Sequence, residues 1–387
     1  MEHLDEPEHI AALRETLARF VAKEMPREAA RRWDKGIEYP EETLKKLATL
    51  GVFGLTIPEQ YGGSGPDIVA AMVTIEELMR RSQSVAGTYI RGACYAGMNI
   101  LECGSDEQKE ELLPQVCAGD LWVAYGLSEP DVGSDLASVT TTAVRDGDHV
   151  VVNGAKRFCS GARNANFIYT LVRTGPDEER YKNLTILLIP PGADGVTIED
   201  QHAMGFKGSQ TTDVTFADVA IPASNIIGGD EGWNNGWGKL VGPGLDVEKI
   251  EVSAMALGLA RAAVEDAWEY AQERVQFKKR ISANQSVRHV LADVKTKLEA
   301  CRLMTYHAAW LLQTGKPAKV PTAMTKLFVC ENAKDIVLAC QQVMGAYGYV
   351  EDFDMERYVR NVLALPILGG SSAIQRNNIA NNLGLAR

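Results

Sequence analysis

The sequence predicts an α+β protein with an N-terminal helical domain, a middle β domain and a C-terminal helical bundle, and three observations predict it. Apolar residues recur at three- and four-residue spacing through the first part of the chain. Short runs of β-branched and aromatic residues, separated by turn residues, follow, and helical spacing then returns in long stretches. The implied domains are 1–120, 121–230 and 231–387. A chain of 387 residues is long enough to bury a sizeable core across two or three such units.

In the first domain Ile10, Leu13, Leu17, Phe20 and Val21 share one helical face, as do Leu44, Leu47 and Leu50, and Gly51 closes the second of these helices. Helical texture continues over 67–81 and 84–102. Ser105, with Gln108 three residues on, predicts a capping box that opens a helix reaching about Cys117. Strand-like runs then occupy 121–127, 137–144, 149–152, 167–172, 184–189, 196–198 and 214–219. Arg145-Asp146-Gly147-Asp148 carries an Asp-Gly hairpin signal, and Pro190-Pro191-Gly192 ends another run. A Gly- and Trp-rich loop is expected from 228 to 244. Beyond it, apolar residues from Ile250 to Ala271, Val287 to Cys301 and Met324 to Met344 predict long packed helices, with a last one marked by Ile374, Ile379 and Leu383.

Composition narrows the function classes. A net charge of −11 disfavours a nucleic-acid backbone or an anionic membrane surface as the main partner, while leaving phosphates on a small ligand open. The seven cysteines show neither C-x-x-C pairing nor metal-type spacing against the six histidines, so they read as reduced and mostly buried, with no metal site. The opening Met1-Glu2-His3-Leu4-Asp5-Glu6 lacks the character of a secretory or transit signal, no apolar run approaches a bilayer span, and cytoplasm is the default location. No G-x-G-x-x-G after a strand, G-x-x-x-x-G-K-[ST], H-E-x-x-H or G-x-S-x-G is present. Nicotinamide, nucleoside triphosphate, zinc and serine-hydrolase readings therefore lose their usual support.

The stretch Tyr125-Gly126-Leu127-Ser128-Glu129-Pro130-Asp131-Val132-Gly133-Ser134-Asp135 crowds small hydrogen-bonding residues and two glycines into a loop after a strand. By residue type alone it reads equally as a ligand loop and as a plain turn. It resembles the Thr/Ser-Glu-Pro-x-x-Gly-Ser-Asp signature of the acyl-CoA dehydrogenase family, and Pro58-Glu59-Gln60-Tyr61-Gly62-Gly63 resembles that family's PE-x-YGG turn. The resemblance runs from about Trp33 to the C-terminus and implies the same helical, β, helical fold, ending in a four-helix bundle.

The resemblance also implies FAD. It would place Tyr125, Leu127 and Ser128 against the isoalloxazine ring, Gly133 and Ser134 near the pyrophosphate and the substrate's thiol arm, and Phe158-Cys159-Ser160 on the flavin's other face. Arg274-Val275-Gln276-Phe277, Asn284-Gln285 and Gln342-Val343-Met344-Gly345-Ala346-Tyr347-Gly348 match segments that in relatives reach a neighbouring subunit's cofactor. Ser371 and Ala373 complete the cofactor set. Lys278 and Ala346 stand where relatives usually have Gly. By residue type alone Arg274 is equally a solvated charge near a helix C-terminus, and the glycines after 344 are equally a helix stop.

The most informative departure is at Gly369. Leu368-Gly369-Gly370-Ser371-Ser372-Ala373-Ile374-Gln375-Arg376 resembles the C-terminal motif whose Glu is the catalytic carboxylate in many relatives, and Gly369 occupies that Glu's place. Leu245-Asp246-Val247-Glu248-Lys249 resembles the alternative carrier used by isovaleryl-CoA dehydrogenase and its like, which makes Glu248 the expected base and Glu251 the reserve. By position alone Glu248 is also an ordinary acidic residue in a helix's first turn. Asp246, Lys249, Gly369 and Gly370 join Ser134 as expected substrate contacts, Gly369 through its N–H to the thioester oxygen; its missing side chain is expected to widen the acyl pocket for a branched or bulky chain.

The activity implied is α,β-dehydrogenation of an acyl-CoA to the trans-2-enoyl-CoA, with electrons passed to electron-transferring flavoprotein by a homotetramer. Two alternatives stand beside it. One is a non-catalytic subunit of a heteromeric relative, which departures at Lys249, Lys278, Ala346 and Asn361 keep open. The other is an oxygen-using acyl-CoA oxidase or flavin monooxygenase.

Overall fold

The computed structural model describes residues 6–240 and 243–385, so the amino-terminal residues 1–5 and positions 241–242 of the expected Gly- and Trp-rich loop lie outside the described residues. The chain opens with α1 (Glu8–Glu24), α2 (Arg27–Asp34), α3 (Glu41–Ala48), α4 (Ile68–Met79) and α5 (Gln83–Tyr89). Asp67 caps α4 by accepting from the Ala70 N–H at 2.8 Å. The single helix expected over 84–102 is interrupted: a π-helical segment, Ile90–Met98, separates α5 from α6 (Asn99–Cys103). π-turns displace side chains from the ordinary helical stripe, and no residue type announces them. α7 (Asp106–Ala118) begins with the predicted capping box, Ser105 and Gln108 each bonding the other's backbone N–H.

The β domain is one seven-stranded sheet of β1 (Val123–Gly126), β2 (Thr142–Asp146), β3 (His149–Lys156), β4 (Phe167–Arg173), β5 (Leu184–Ile189), β6 (Val196–Asp200) and β7 (Thr212–Pro222). Its order is β1-β4-β2-β3-β7-β6, with β5 also pairing β4. β1 runs parallel to β4, with Tyr125 opposite Tyr169, and the Asp-Gly hairpin joins β2 to β3 with Gly147 at φ 59°. The run expected over 137–144 is a strand only from Thr142; Leu136–Ser138 forms a 3₁₀ turn instead. β5 is buried at every position, as its unbroken Leu-Thr-Ile-Leu-Leu-Ile sequence requires of a strand covered on both faces.

The expected loop after the sheet is partly helical, containing Gly229–Gly232 and α8 (Gly236–Leu240). α9 (Pro243–Glu273) follows, then a short hairpin of β8 (Val275–Gln276) and β9 (Lys279–Arg280), α10 (Gln285–Gln313), α11 (Lys319–Met344), α12 (Met355–Val362) and α13 (Ser372–Asn382). α12 went unread in the sequence, being only eight residues long. The principal core joins α1 and α4 to α9, α10 and α11, so the two helical parts share one apolar interior, and α9 runs through its middle. Ala254, Ala256, Ala260, Ala263 and Ala267 of α9 are fully buried, small residues that let neighbouring helices approach closely. All seven cysteines are free and all but Cys117 are buried.

Candidate functional site

The loop after β1 is held by a buried carboxylate. One Glu129 oxygen accepts from the Thr140 N–H and hydroxyl, each at 2.7 Å; the other accepts from the Thr141 N–H at 2.9 Å and the Lys156 ammonium at 2.8 Å. Glu129 and Val132 also exchange backbone bonds, closing the turn. The carboxyl is thereby held well below its usual range, at about 2 against the opposing effect of burial, while burial brings the Lys156 ammonium down to about 8. Sequence reasoning missed this scaffold because the partners are 27 positions apart. Around it, Tyr125, Leu127 and Ser128 are half-buried, and Gly133 and Ser134 are exposed.

Phe158 stands at the end of β3 in a left-handed conformation, φ 60°, with 58% of its surface exposed. A non-glycine residue seldom adopts that conformation, and here it turns an aromatic ring outward on a loop tied down by the Cys159 N–H to the Thr212 carbonyl at 2.8 Å. Ser160, two residues on, is exposed. The Arg157 guanidinium lies 5.4 Å from the centre of the Phe158 ring, and the area left exposed suits stacking against a planar heteroaromatic group.

Tyr125 also belongs to a second cluster. Its ring stacks on Tyr95 of the π-helical segment, centroids 3.9 Å apart and planes within 7°, and its hydroxyl accepts from the Asn99 amide at 2.6 Å. Both phenols are pushed well up by burial and then by the charge of Glu248, which places them close to that carboxyl. Glu248, half-buried on the first turns of α9, is raised to about 7, chiefly by burial, with Lys249 and Lys326 acting against the rise. Glu251, one turn later on the same face, is 3% exposed, and burial followed by the neighbouring Glu248 charge lifts it to about 8. The Lys249 ammonium is engaged by Asp246 at 2.6 Å and the same Asp246 oxygen accepts from the Thr322 hydroxyl at 3.2 Å, so these two expected contact residues pair with each other beside Glu248.

Gly369 comes from the far end of the chain to the same place. A Cβ on Gly369 would lie 3.9 Å from the Glu248 carboxyl carbon, so position 369 and the Glu248 side chain are neighbours. The same Cβ would lie 2.9 Å from Val252 Cγ2, so the expected extra space beside Gly369 is occupied by Val252. Gly370 is exposed, Ser371 caps α13 through the Ile374 N–H at 3.4 Å, and Ala373 is exposed on its first turn.

The remaining predicted residues form a separate group. The Arg274 guanidinium lies 5.4 Å from the Tyr347 ring, which joins the end of α9 to the Gly345–Gly348 turn after α11. Gln276 and Phe277 lie in the β8–β9 hairpin, with Phe277 94% exposed. Asn284 precedes α10, while Gln285, Gln342, Gly345 and Ala346 are exposed. Among the described residues no hydrogen bond or ring contact links this group to the Tyr125–Phe158 loops.

Phe158 offers an aromatic surface to a planar group, and the Tyr125 strand leads from that loop to a half-buried carboxyl, Glu248, whose proton is held more tightly than usual. Among the described residues no three His, Cys, Asp or Glu side chains are grouped to hold a metal ion, and no helix is long and apolar enough to cross a membrane.

Three family models match the chain: the acyl-CoA dehydrogenase N-terminal domain over residues 7–120, the middle domain over 124–219 and the C-terminal domain over 234–384. A 3-(aryl)acrylate reductase of Clostridium sporogenes is 37% identical over 369 residues, covering 95% of this chain and 96% of that protein. The CarC subunit of the caffeyl-CoA reductase-Etf complex of Acetobacterium woodii is 33% identical over 367 residues, covering 94% and 95%. The structure of butyryl-CoA dehydrogenase from Megasphaera elsdenii superposes with a TM-score of 0.91 at 30% identity, covering 98% of this chain and 99% of that one.

Proposed function

The chain belongs to the acyl-CoA dehydrogenase family, oxidoreductases acting on CH–CH donors, and from that premise we propose that it interconverts an acyl-CoA and its trans-2-enoyl-CoA with Glu248 as the proton-transferring group. The protein is FAD-dependent, as its family is. When bound, FAD would supply the two-electron acceptor for the Cβ hydrogen and its electron pair. The exposed Phe158 ring and the Ser128 and Ser160 hydroxyls suit the flavin ring, and the exposed Gly133 and Ser134 offer backbone and hydroxyl to its phosphates.

Each residue of the cleft then has a task. A Glu248 oxygen accepts the Cα proton, and the C–H electrons left behind form the new C=C bond as the Cβ hydrogen departs. The Gly369 N–H donates to the thioester oxygen, where negative charge gathers as the proton leaves. A carboxyl raised to about 7 accepts a proton far better than one at its ordinary value, and near neutral pH half of it is ionised and able to do so. The observation that carries this reading is the Gly369 Cβ position 3.9 Å from the Glu248 carboxyl carbon. It explains how a chain without the C-terminal Glu keeps a base at the same point.

The stacked Tyr95 and Tyr125 rings support a planar or bulky acyl group, an aryl substituent above all, and two similar proteins carry aryl or caffeyl substrates in their names. Electron-transferring flavoprotein is the proposed electron partner, as the Etf complex of the Acetobacterium relative suggests. Which direction runs in the cell then depends on that partner's potential, since the same carboxyl can return the proton to Cα. The exposed Val275, Gln276, Phe277, Gln342, Gly345 and Ala346, with the half-buried Arg274, suit a neighbour's cofactor in a homotetramer. The test is anaerobic: the purified yellow protein is mixed with 3-phenylpropionyl-CoA, isovaleryl-CoA and butyryl-CoA, and bleaching is followed. Bleaching is expected, fastest with the aryl chain. A flavin-loaded protein that no acyl-CoA bleaches and no enoyl-CoA reoxidises contradicts the proposal.

A further inference from the structure

Lys326 on α11 is 0% exposed, its ammonium has no hydrogen-bond partner among the described residues, and burial brings it below its ordinary range against the opposing pull of Cys330, Glu248 and Glu331. A cation in that state is expensive to bury, and a methionine of similar length would fill the space without the penalty. Its surroundings say what it faces. One turn earlier on the same side of α11, the Thr322 hydroxyl reaches Asp246 at 3.2 Å, so the Thr322–Lys326 face of α11 packs on the turn of α9 that carries Glu248.

The charged neighbours leave one candidate partner. On α11 itself, Glu331 is already bound by Lys334 and by the Ser372 hydroxyl, each at 2.6 Å, and the Cys330 thiol is pushed up to about 12 by burial and so is neutral. On α9, Asp246 is taken by Lys249, and Glu251 lies against Cys94. The π-helical segment and β1 contribute Tyr95 and Tyr125, both uncharged phenols, and the Gly369 turn contributes no ionisable side chain. Glu248 forms no ion pair among the described residues and feels the Lys326 charge.

We propose that Lys326 is a positioning residue for Glu248: from the facing helix its ammonium holds the buried carboxyl in the ionised form that can accept a proton. This rests on Glu248 being the proton acceptor. Burial would otherwise drive that carboxyl further toward its neutral form, which cannot act as a base, so the uncompensated cation on α11 is retained for what it does to α9. Lys249 opposes the rise from α9 itself while its ammonium is also bound by Asp246; Lys326 adds a second cation from the facing helix that no carboxylate among the described residues hydrogen-bonds.

The experiment reads anaerobic flavin bleaching by 3-phenylpropionyl-CoA, or butyryl-CoA if that is faster, across the pH range in holoenzyme variants. The parent rate should rise through about pH 7. In Lys326→Met the rise should move alkaline by about one pH unit, a roughly tenfold loss below the parental midpoint that is recovered at high pH. Lys326→Arg should keep the parental midpoint. Lys326→Gln reads the same midpoint if the Met variant does not accumulate as holoenzyme. A Lys326→Met or Lys326→Gln profile with the parental midpoint, whatever its height, overturns the proposal. Glu248→Gln run alongside separates the two claims, because parental bleaching by that variant removes the base itself, while a slow Glu248→Gln with an unmoved Lys326→Met midpoint removes only Lys326.

Discussion

Glu77 and Glu251 are both almost inaccessible carboxylates packed around α9, and their electrostatics are opposite. Glu77 on α4 accepts from Arg14 at 2.7 Å, from Arg261 of α9 at 2.6 Å and from Arg80 at 2.7 Å, and these guanidiniums hold it below its usual value against the pull of burial. Glu251 has one oxygen with no partner and the Cys94 thiol as its neighbour, so burial wins and lifts it to about 8. The same helix therefore satisfies one buried acid and leaves another unsatisfied three turns away. The difference shows what each region is for. The first ties α1, α4 and α9 together, whereas the second keeps Glu248 and Glu251 near neutrality, where a carboxyl can exchange protons.

The largest effect on this contrast should come from Glu77→Gln. It removes the carboxylate that the three guanidiniums share, leaving Arg14 and Arg261 on Glu76 and Arg80 on Glu265, so the loss should fall toward the lower end of the roughly 3–5 kcal/mol typical of breaking a buried charge network. Chemical denaturation should show that loss, while the folded fraction bleaches at the parental rate. A loss below about 1 kcal/mol would mean the cluster is decorative.

Next in size is Glu129→Gln, which leaves Lys156 buried without its counter-charge beneath the loop of Leu127 and Ser128. Glu129 is depressed in the folded state, so its contribution is present above about pH 4.5 and lost as pH falls through about 2. Parent and variant should differ by about 1–3 kcal/mol at pH 7 and converge toward pH 2, with weaker FAD retention in the variant. A gap independent of pH would break the assignment.

Glu251→Gln should have the smallest effect and the opposite sign. Its folded-state value is raised, so the stability it contributes is present below about pH 4.5 and lost as pH rises through about 8. The variant should match the parent near pH 4.5, gain on it as pH rises toward 8, and exceed it by about 1–2 kcal/mol at pH 9, read from thermal unfolding of the flavin-free protein. A variant less stable than the parent at pH 9 would show that Glu251 has a charged partner after all.

Legibility in the sequence follows the same divide. Periodicity and turn chemistry are local, and they revealed the helical, β, helical order, the Ser105–Gln108 cap and the Asp146-Gly147 hairpin. The π-helical segment that brings Tyr95 onto Tyr125 has no residue signature, so one helix was read where three pieces exist. Lys156 and Lys326 were invisible for a different reason. A lysine in a strand or helix pattern is read as solvent-facing, and only the fold reveals that both are fully covered. The proposal of Glu248 as the base comes from resemblance alone, by its match to an alternative carrier together with the missing Glu at 369. Val252 filling the space beside Gly369 depends on a contact between residues 117 positions apart, which no pattern in the chain encodes.

The central claim is that Glu248 takes the place of the absent carboxylate at Gly369, and single-turnover flavin bleaching of Glu248→Gln tests it most directly. The amide keeps the side chain's shape but cannot accept the α-proton, so bleaching should fall by about 10²–10⁴-fold with acyl-CoA affinity little changed. Adding Gly369→Glu should restore rate only when Val252→Ala relieves the 2.9 Å approach to the new Cβ, and then only in part, because position 369 sits at φ 61°, where a side chain remains strained. Slow bleaching in the single variant with partial recovery in the triple variant is the result predicted. Bleaching at the parental rate in Glu248→Gln would contradict the account and move the search for the base to Glu251.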